Sequence, residues 1–144
     1  MDATTAQRIY LVRYPDGMPT DADLKLESMP MPRPGADEML LRTIYLSLDP
    51  YMRGRMSPAK SYAKGIKPGD TMVGATVSEV MESNLDGFAP GDIVLSYDGW
   101  QTHAVSNGKG VVKLDPKAAP ITTALGVLGM PGFTAYAGLL EHGR

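Results

Sequence analysis

The sequence predicts a mainly β domain, a small irregular barrel of short strands, with helices confined to its C-terminal end. Three observations lead there. Sixteen Gly and twelve Pro are spread along the 144 residues instead of clustered, as the punctuation between many short strands requires. Between these breakers lie short runs rich in β-branched, aromatic and long apolar residues. From Ile121 onward that character stops, and Ala, Leu, Gly and Met dominate. An apolar content of 43% against 21% charged residues is ordinary for one globular domain with a real core.

Each element has its own signal. Arg8 to Tyr14 is the first expected strand, stopped by Pro15, Asp16 and Gly17. Leu24 to Glu27 is a short extended piece, and Pro30, Pro32 and Pro34 keep the following path non-helical. Met39 to Leu48 is a strong strand ending at Asp49-Pro50. Thr71 to Met81 is apolar and β-branched, with Gly74 marking a bend or a close backbone approach. Gly87 to Asp92 makes a structural turn into Ile93 to Tyr97, and Trp100 to Val105 and Val111 to Leu114 supply two more strands. In the tail, Leu125, Leu128 and Gly129 lie at helical spacing before Pro131, and Ala135, Leu139 and His142 after it. Pro131-Gly132 is expected to break or kink the helix between them.

Composition excludes several function classes. Fourteen Lys and Arg against sixteen Asp and Glu leave a net charge of −2 with no basic run, so nucleic acid is not an expected partner. No stretch approaches the roughly 20 apolar residues that span a bilayer, and the N-terminus does not look like a signal peptide, so the expected location is the cytoplasm. The absence of Cys removes disulfides, thiolate nucleophiles and the softest zinc ligands together, and His103 and His142 alone do not make a metal site. Ten Met is high for this length and fits adaptable packing.

Three segments carry a likeness: LSLDPYMRGRM (Leu46 to Met56), TMVGATVSEVMES (Thr71 to Ser83) and LGVLGMPGFTAYAGLLEHG (Leu125 to Gly143). Together they resemble the zinc-free branch of the medium-chain dehydrogenase/reductase superfamily, which holds leukotriene and prostaglandin reductases, plant double-bond reductases and bacterial NADPH-dependent curcumin reductase. The resemblance implies a GroES-like barrel over residues 1–120, serving as the catalytic substrate domain. It also implies a helical segment, 121–144, leading to a nucleotide-binding domain that the chain does not contain. No glycine cluster, Gly108-Lys109-Gly110 included, has the strand-turn-helix setting of a dinucleotide fingerprint. The expectation is therefore a fragment of a longer enzyme, with a natural short protein as the lesser alternative.

Departures from the zinc alcohol dehydrogenases of the superfamily matter as much. Three residues before Asp49, where those enzymes carry a ligand Cys, stands Leu46; aligned on Gly74, their ligand His and following Glu become Ala75 and Thr76. Neither catalytic nor structural zinc is expected.

The activity implied by the resemblance is transfer of a hydride from NADPH to the β-carbon of an enone or enal. Without zinc, a hydroxyl must donate to the enolate oxygen, and a tyrosine phenol suits that task. Tyr51 matches a tyrosine that lines the nicotinamide and substrate pocket of plant relatives; the alternative is a core tyrosine with one bonded hydroxyl. Tyr62 matches a loop tyrosine of the curcumin-reductase branch; the alternative is a solvated loop residue. Tyr51 and Tyr62 are the expected catalytic residues. Pro50, Tyr51, Met130 and Thr134 are the expected cofactor contacts, with Thr134 bonding either the carboxamide or its own helix backbone. Asp49 is expected to cap a turn or pair with a cation such as Arg53, and His103 to be structural. The competing reading is a non-enzymatic GroES-like module that binds partners or small hydrophobic ligands. The apolar tail, uncovered without a following domain, is expected to pair two copies as a homodimer or to fold back over the barrel.

Overall fold

The computed structural model describes residues 4–143. Strand β1 (Thr5–Leu11) pairs antiparallel with β2 (Leu24–Pro30), placing Ile9 opposite Leu26 and Arg8 opposite Glu27, whose side chains form an ion pair at 2.7 Å. The larger sheet contains β3 (Met39–Leu46), β4 (Thr76–Ser83), β5 (Ile93–Ser96), β6 (His103–Ser106) and β7 (Val112–Leu114) in the antiparallel order β6-β3-β4-β5-β7.

The hairpin is stitched to the chain that leaves the larger sheet. Ile9 N–H donates to Trp100 O at 2.8 Å, Met72 N–H to Ile9 O at 2.9 Å, and Thr102 N–H to Gln7 O at 2.8 Å. Single bridges join Arg8 to Gln101 and Tyr10 to Thr71. These backbone bonds close the barrel irregularly. They also explain why the strand expected to begin at Thr71 begins at Thr76: Thr71 and Met72 pair with β1, while Gly74 turns the backbone toward β3 and β5. Likewise β6 starts at His103, because Trp100 and Thr102 are engaged with the hairpin.

Two apolar clusters fill the interior. Met39, Leu41, Val80 and Val94 are almost wholly buried between β3, β4 and β5, with Leu85, Phe88 and Val111 against them. Leu11, Met52, Met56, Ile66 and Met72 form the second, against which Tyr51, Val73 and Trp100 pack. Methionine thus acts as core filler at four of these nine positions, which fits its adaptable shape. Irregularities in the β3–β4 register after Leu40 and Thr43 interrupt the alternation of inward and outward side chains.

Two expectations about helices change. A short helix, α1 (Tyr51–Arg55), lies among the strands, where none was expected. Pro50 starts it with φ −56°, Asp49 O accepts from Met52 N at 3.1 Å, and the turn is held because Met52 and Met56 are buried in the core. In the tail, Pro131 does not break a helix between two halves. A 3-10 turn covers Ile121–Leu125, and α2 (Met130–Ala137) begins at the residue before Pro131, where a missing N–H costs nothing. α2 then widens into a π-helical turn over Gly138–His142.

Candidate functional site

The ends of β3, β4 and β5 meet beside α1. β3 runs out through Ser47 and Asp49 into Pro50, Ser47 N–H donates to Ala75 O ahead of β4, and Gly99 N–H, beyond β5, donates to Gly74 O. Gly74 leaves room for this convergence. A Cβ there would lie 3.0 Å from Leu46 Cδ1, 3.1 Å from Met52 Cε and 3.1 Å from Trp100 Nε1, so the close approach read from the sequence is real.

Tyr51 opens α1 and is half-buried against the second core cluster. Burial raises the pKa of its phenol above 10.0, Asp49 adds to the rise, Arg55 opposes it, and the phenols of Tyr97 and Tyr62 add a little more. The hydroxyl therefore stays a donor at neutral pH. Tyr62 stands on the loop after α1, 87% exposed, yet close enough to influence Tyr51. The loop is tied at its base where Ile66 N–H donates to Arg55 O at 2.9 Å.

Asp49 does not pair with Arg53 as the sequence allowed. Its carboxylate accepts the Ser47 hydroxyl at 2.7 Å, whereas the Arg53 guanidinium donates to Gly17 O and Pro15 O and ties α1 to the loop after β1. His103 Nδ1 lies 3.1 Å from Thr102 Oγ1, and burial, then Arg42, hold its pKa below 6.5. In the Gly87 to Asp92 turn, Asp92 accepts from Ala89 N–H and from the Lys113 ammonium, both at 2.7 Å.

Sequence reading missed three polar atoms that are buried without a hydrogen-bond partner among the described residues: Arg55 Nε, Trp100 Nε1 and Asp98 Oδ2. Each such group costs about 1–3 kcal/mol when no ligand or water meets it. Asp98 follows β5. Burial pushes its carboxyl upward, and the Ser96 hydroxyl partly offsets the effect. Behind it, Ser96 Oγ lies 2.8 Å from Thr76 Oγ1, which accepts from Ser78 Oγ at 3.3 Å, all three side chains lying inside the sheet. Trp100 also walls a cavity of about 250 Å3 with Ile9, Leu26 and Leu46.

Met130 and Thr134 sit on α2, both exposed, and Thr134 Oγ1 donates to Met130 O at 2.8 Å, its own helix backbone. Leu46 and Ala75, singled out above by comparison with zinc enzymes, and the neighbouring Thr76 offer no metal donor set: two are aliphatic, and the hydroxyl of the third is engaged with Ser96 and Ser78. Among the described residues no group of three His, Cys, Asp or Glu could hold a metal ion, and no helix is long and apolar enough to cross a membrane.

A hairpin stitched to a five-stranded sheet, with a short helix and two tyrosines where the strands converge, defines a class of domain. Residues 7–114 match the family model described as the N-terminal domain of oxidoreductase, and the chain belongs to that family, with the GroES-like barrel of medium-chain reductases. Its likeness extends to particular proteins. NADPH-dependent curcumin reductase of Escherichia coli (strain K12) is 49% identical over 138 residues, covering 96% of this chain and 40% of that protein. Prostaglandin reductase 1 of Bos taurus is 43% identical over 128 residues, covering 87% of this chain and 37% of that protein. The crystal structure of CurA from Vibrio vulnificus in complex with NADPH superposes with a TM-score of 0.88 at 49% identity, over 94% of this chain and 40% of that one. The chain thus spans about 40% of the length of the relatives it matches.

Proposed function

We propose that the chain is the substrate-wall part of an NADPH-dependent oxidoreductase that reduces the C=C bond of α,β-unsaturated ketones and aldehydes. The observation that carries this reading is Tyr51: a half-buried phenol, kept protonated by its surroundings, at the convergence of three strand ends beside unpartnered polar atoms. The names of the relatives, curcumin, prostaglandin and 2-alkenal reductases, support the substrate class.

In this reading the residues present would meet the nicotinamide end of the cofactor. Tyr51 and Pro50 would flank the ring, Met130 and Thr134 would meet it from α2, and the unpartnered Arg55 and Trp100 N–H groups mark a wall able to receive polar atoms. Thr134 would have to release Met130 O to reach a carboxamide. When bound, NADPH supplies the hydride equivalent for the β-carbon. Tyr51 donates its hydroxyl proton in a hydrogen bond to the substrate carbonyl oxygen as negative charge gathers there. Tyr62 closes over the substrate as a second phenol and limits the approach of water. Zinc has no part in this reading, since Leu46, Ala75 and Thr76 leave the carbonyl to hydroxyl donors.

Residues 1–120 serve as the substrate domain in this proposal, and 121–144 as the helical segment that joins it to a nucleotide-binding part of a longer cytoplasmic protein. The uncovered tail of the isolated chain pairs two copies as a homodimer.

The test is NADPH oxidation by the complete protein carrying this chain, against a panel of enones, enals, curcumin and saturated controls. Turnover with the activated alkenes alone is expected. Tyr51→Phe should lower kcat by roughly 10²-fold, the scale of losing one oxyanion donor, and Tyr62→Phe distinguishes a second donor from a lid. Absence of turnover with every alkene would overturn the reading.

A further inference from the structure

Tyr51 and Arg55 stand four residues apart on α1, the spacing that places two side chains on one helix face. The chain leaving α1 returns to the same point, because Ile66 N–H bonds Arg55 O and closes the loop that carries Tyr62. A Cβ at Gly65 would press on the carbonyl oxygens of Ser57, at 2.5 Å, and Arg55, at 3.3 Å, so this closure is tight. Arg55 therefore stands at the base of the loop that carries Tyr62, one helical turn from Tyr51.

Its guanidinium is used differently from those of the other paired arginines. Arg8, Arg13 and Arg42 face carboxylates, and Arg53 is bonded to two backbone carbonyls. Arg55 Nε is withdrawn from water with no acceptor among the described residues. A guanidinium keeps its charge at any pH a protein meets. Near a phenol, a permanent cation favours negative charge at the phenol oxygen and strengthens the hydrogen bond that phenol donates.

We propose that Arg55 is a positioning residue for the reductive step: from the base of the Tyr62 loop its guanidinium supports Tyr51 as donor to the substrate oxyanion. This rests on the reductase reading above. The groups acting on the Tyr51 phenol agree with it, because Asp49, Tyr97 and Tyr62 oppose ionisation and Arg55 alone among the named neighbours favours it. Charge arriving on the substrate oxygen is shared through the Tyr51 hydrogen bond with a cation that has no carboxylate partner among the described residues.

Two measurements test this separately from the reductase reading. The first follows phenol ionisation by fluorine NMR in the 144-residue chain labelled with fluorotyrosine, Tyr51→Phe identifying the resonance. Arg55→Gln should move the Tyr51 midpoint to higher pH, Arg55→Lys should restore it, and Arg53→Gln should leave it in place. The second measures alkene reduction by the complete protein. Arg55→Gln should lower kcat by roughly tenfold with KM little changed, and Arg55→Lys should recover most of the loss. An unchanged Tyr51 midpoint in Arg55→Gln overturns the proposal, as does an unchanged kcat in an active enzyme. If wild-type protein reduces no alkene, the reductase reading falls, and the NMR result still decides whether Arg55 governs Tyr51. Should Arg55→Gln not fold, Arg55→Met and Arg55→Lys compared with wild type give the same contrast.

Discussion

At the residue scale, two aspartates with opposite surroundings give opposite dependences on pH. Asp23 is buried beneath an exposed Arg13, and its pKa is lowered to about 2 by the Arg13 hydrogen bond at 2.7 Å and by the Thr20 hydroxyl and N–H, each at 2.8 Å. A depressed carboxylate contributes stability that is complete above its ordinary value of 3.8 and is lost as pH falls toward 2. Asp98 is shifted upward by burial, so its contribution is complete below 3.8 and is lost as pH rises through its folded value. Asp23→Asn should therefore lower the thermal midpoint at pH 7 and converge on wild type near pH 2. Asp98→Asn should raise the midpoint at pH 7, with the gain fading below pH 4. Melting curves across that range check both signs, and a destabilised Asp98→Asn at pH 7 would mean that the orphaned oxygen has a partner in solution.

Tyr51 stood out in the sequence because it sits in the long segment Leu46 to Met56, and Tyr62 only through the family likeness of its loop; Arg55 and Asp98 were not singled out. Nothing in the letters of Arg55 separates it from Arg53 two positions earlier. The difference lies in where the side chains end, one on the carbonyls of Pro15 and Gly17, the other with its Nε buried and unpartnered among the described residues. Such a distinction depends on segments distant in sequence, which periodicity does not report.

At the scale of elements, strand identities followed from β-branched runs between breakers, and the bounds shifted where tertiary pairing competed with the local pattern. Thr71, Met72 and Trp100 are strand-like residues recruited by the hairpin instead of the sheet. Helix α1 escaped notice because its five residues are held by burial of Met52 and Met56, not by propensity. Gly99 makes this junction possible. Its φ of +81° suits glycine, and a Cβ would collide with the Met72 carbonyl oxygen that already accepts the Trp100 N–H at 2.8 Å. Gly110, at φ +74°, has open space around it. Gly110→Ala should thus cost only the backbone strain, roughly 1–2 kcal/mol. Gly99→Ala should cost clearly more, about 3 kcal/mol or above, because the Met72–Trp100 bond must also shift. Urea unfolding of the two variants measures the difference, and equal losses would deny Gly99 its role in closing the barrel.

At the scale of the whole molecule, the barrel buries its core while the tail exposes one. No residue of α2 is buried, and Val127, Leu128, Phe133, Tyr136 and Leu139 are each more than 60% exposed. α2 touches the 3-10 turn before it, which in turn meets β4, and its side chains stay exposed instead of being covered by the barrel. The exposure foreseen from sequence is therefore present, and pairing between copies is the outcome it favours. Removing apolar surface from water stabilises by about 25 cal/mol per Å2, against an association cost of roughly 4–15 kcal/mol. Pairing then breaks even at roughly 200–600 Å2 of shared apolar surface, a range that five large side chains on each copy can reach. Light scattering of the 144-residue chain should show a dimer whose fraction rises with concentration, and Phe133→Glu with Leu139→Glu should return it to a monomer whose melting midpoint no longer depends on concentration. If the tail is the proposed joint to a nucleotide-binding part, the same two substitutions should instead lower the thermal stability of the complete protein. A chain that stays monomeric at millimolar concentration would remove the dimer, and a complete protein indifferent to both substitutions would remove the tail's role as the joint between domains.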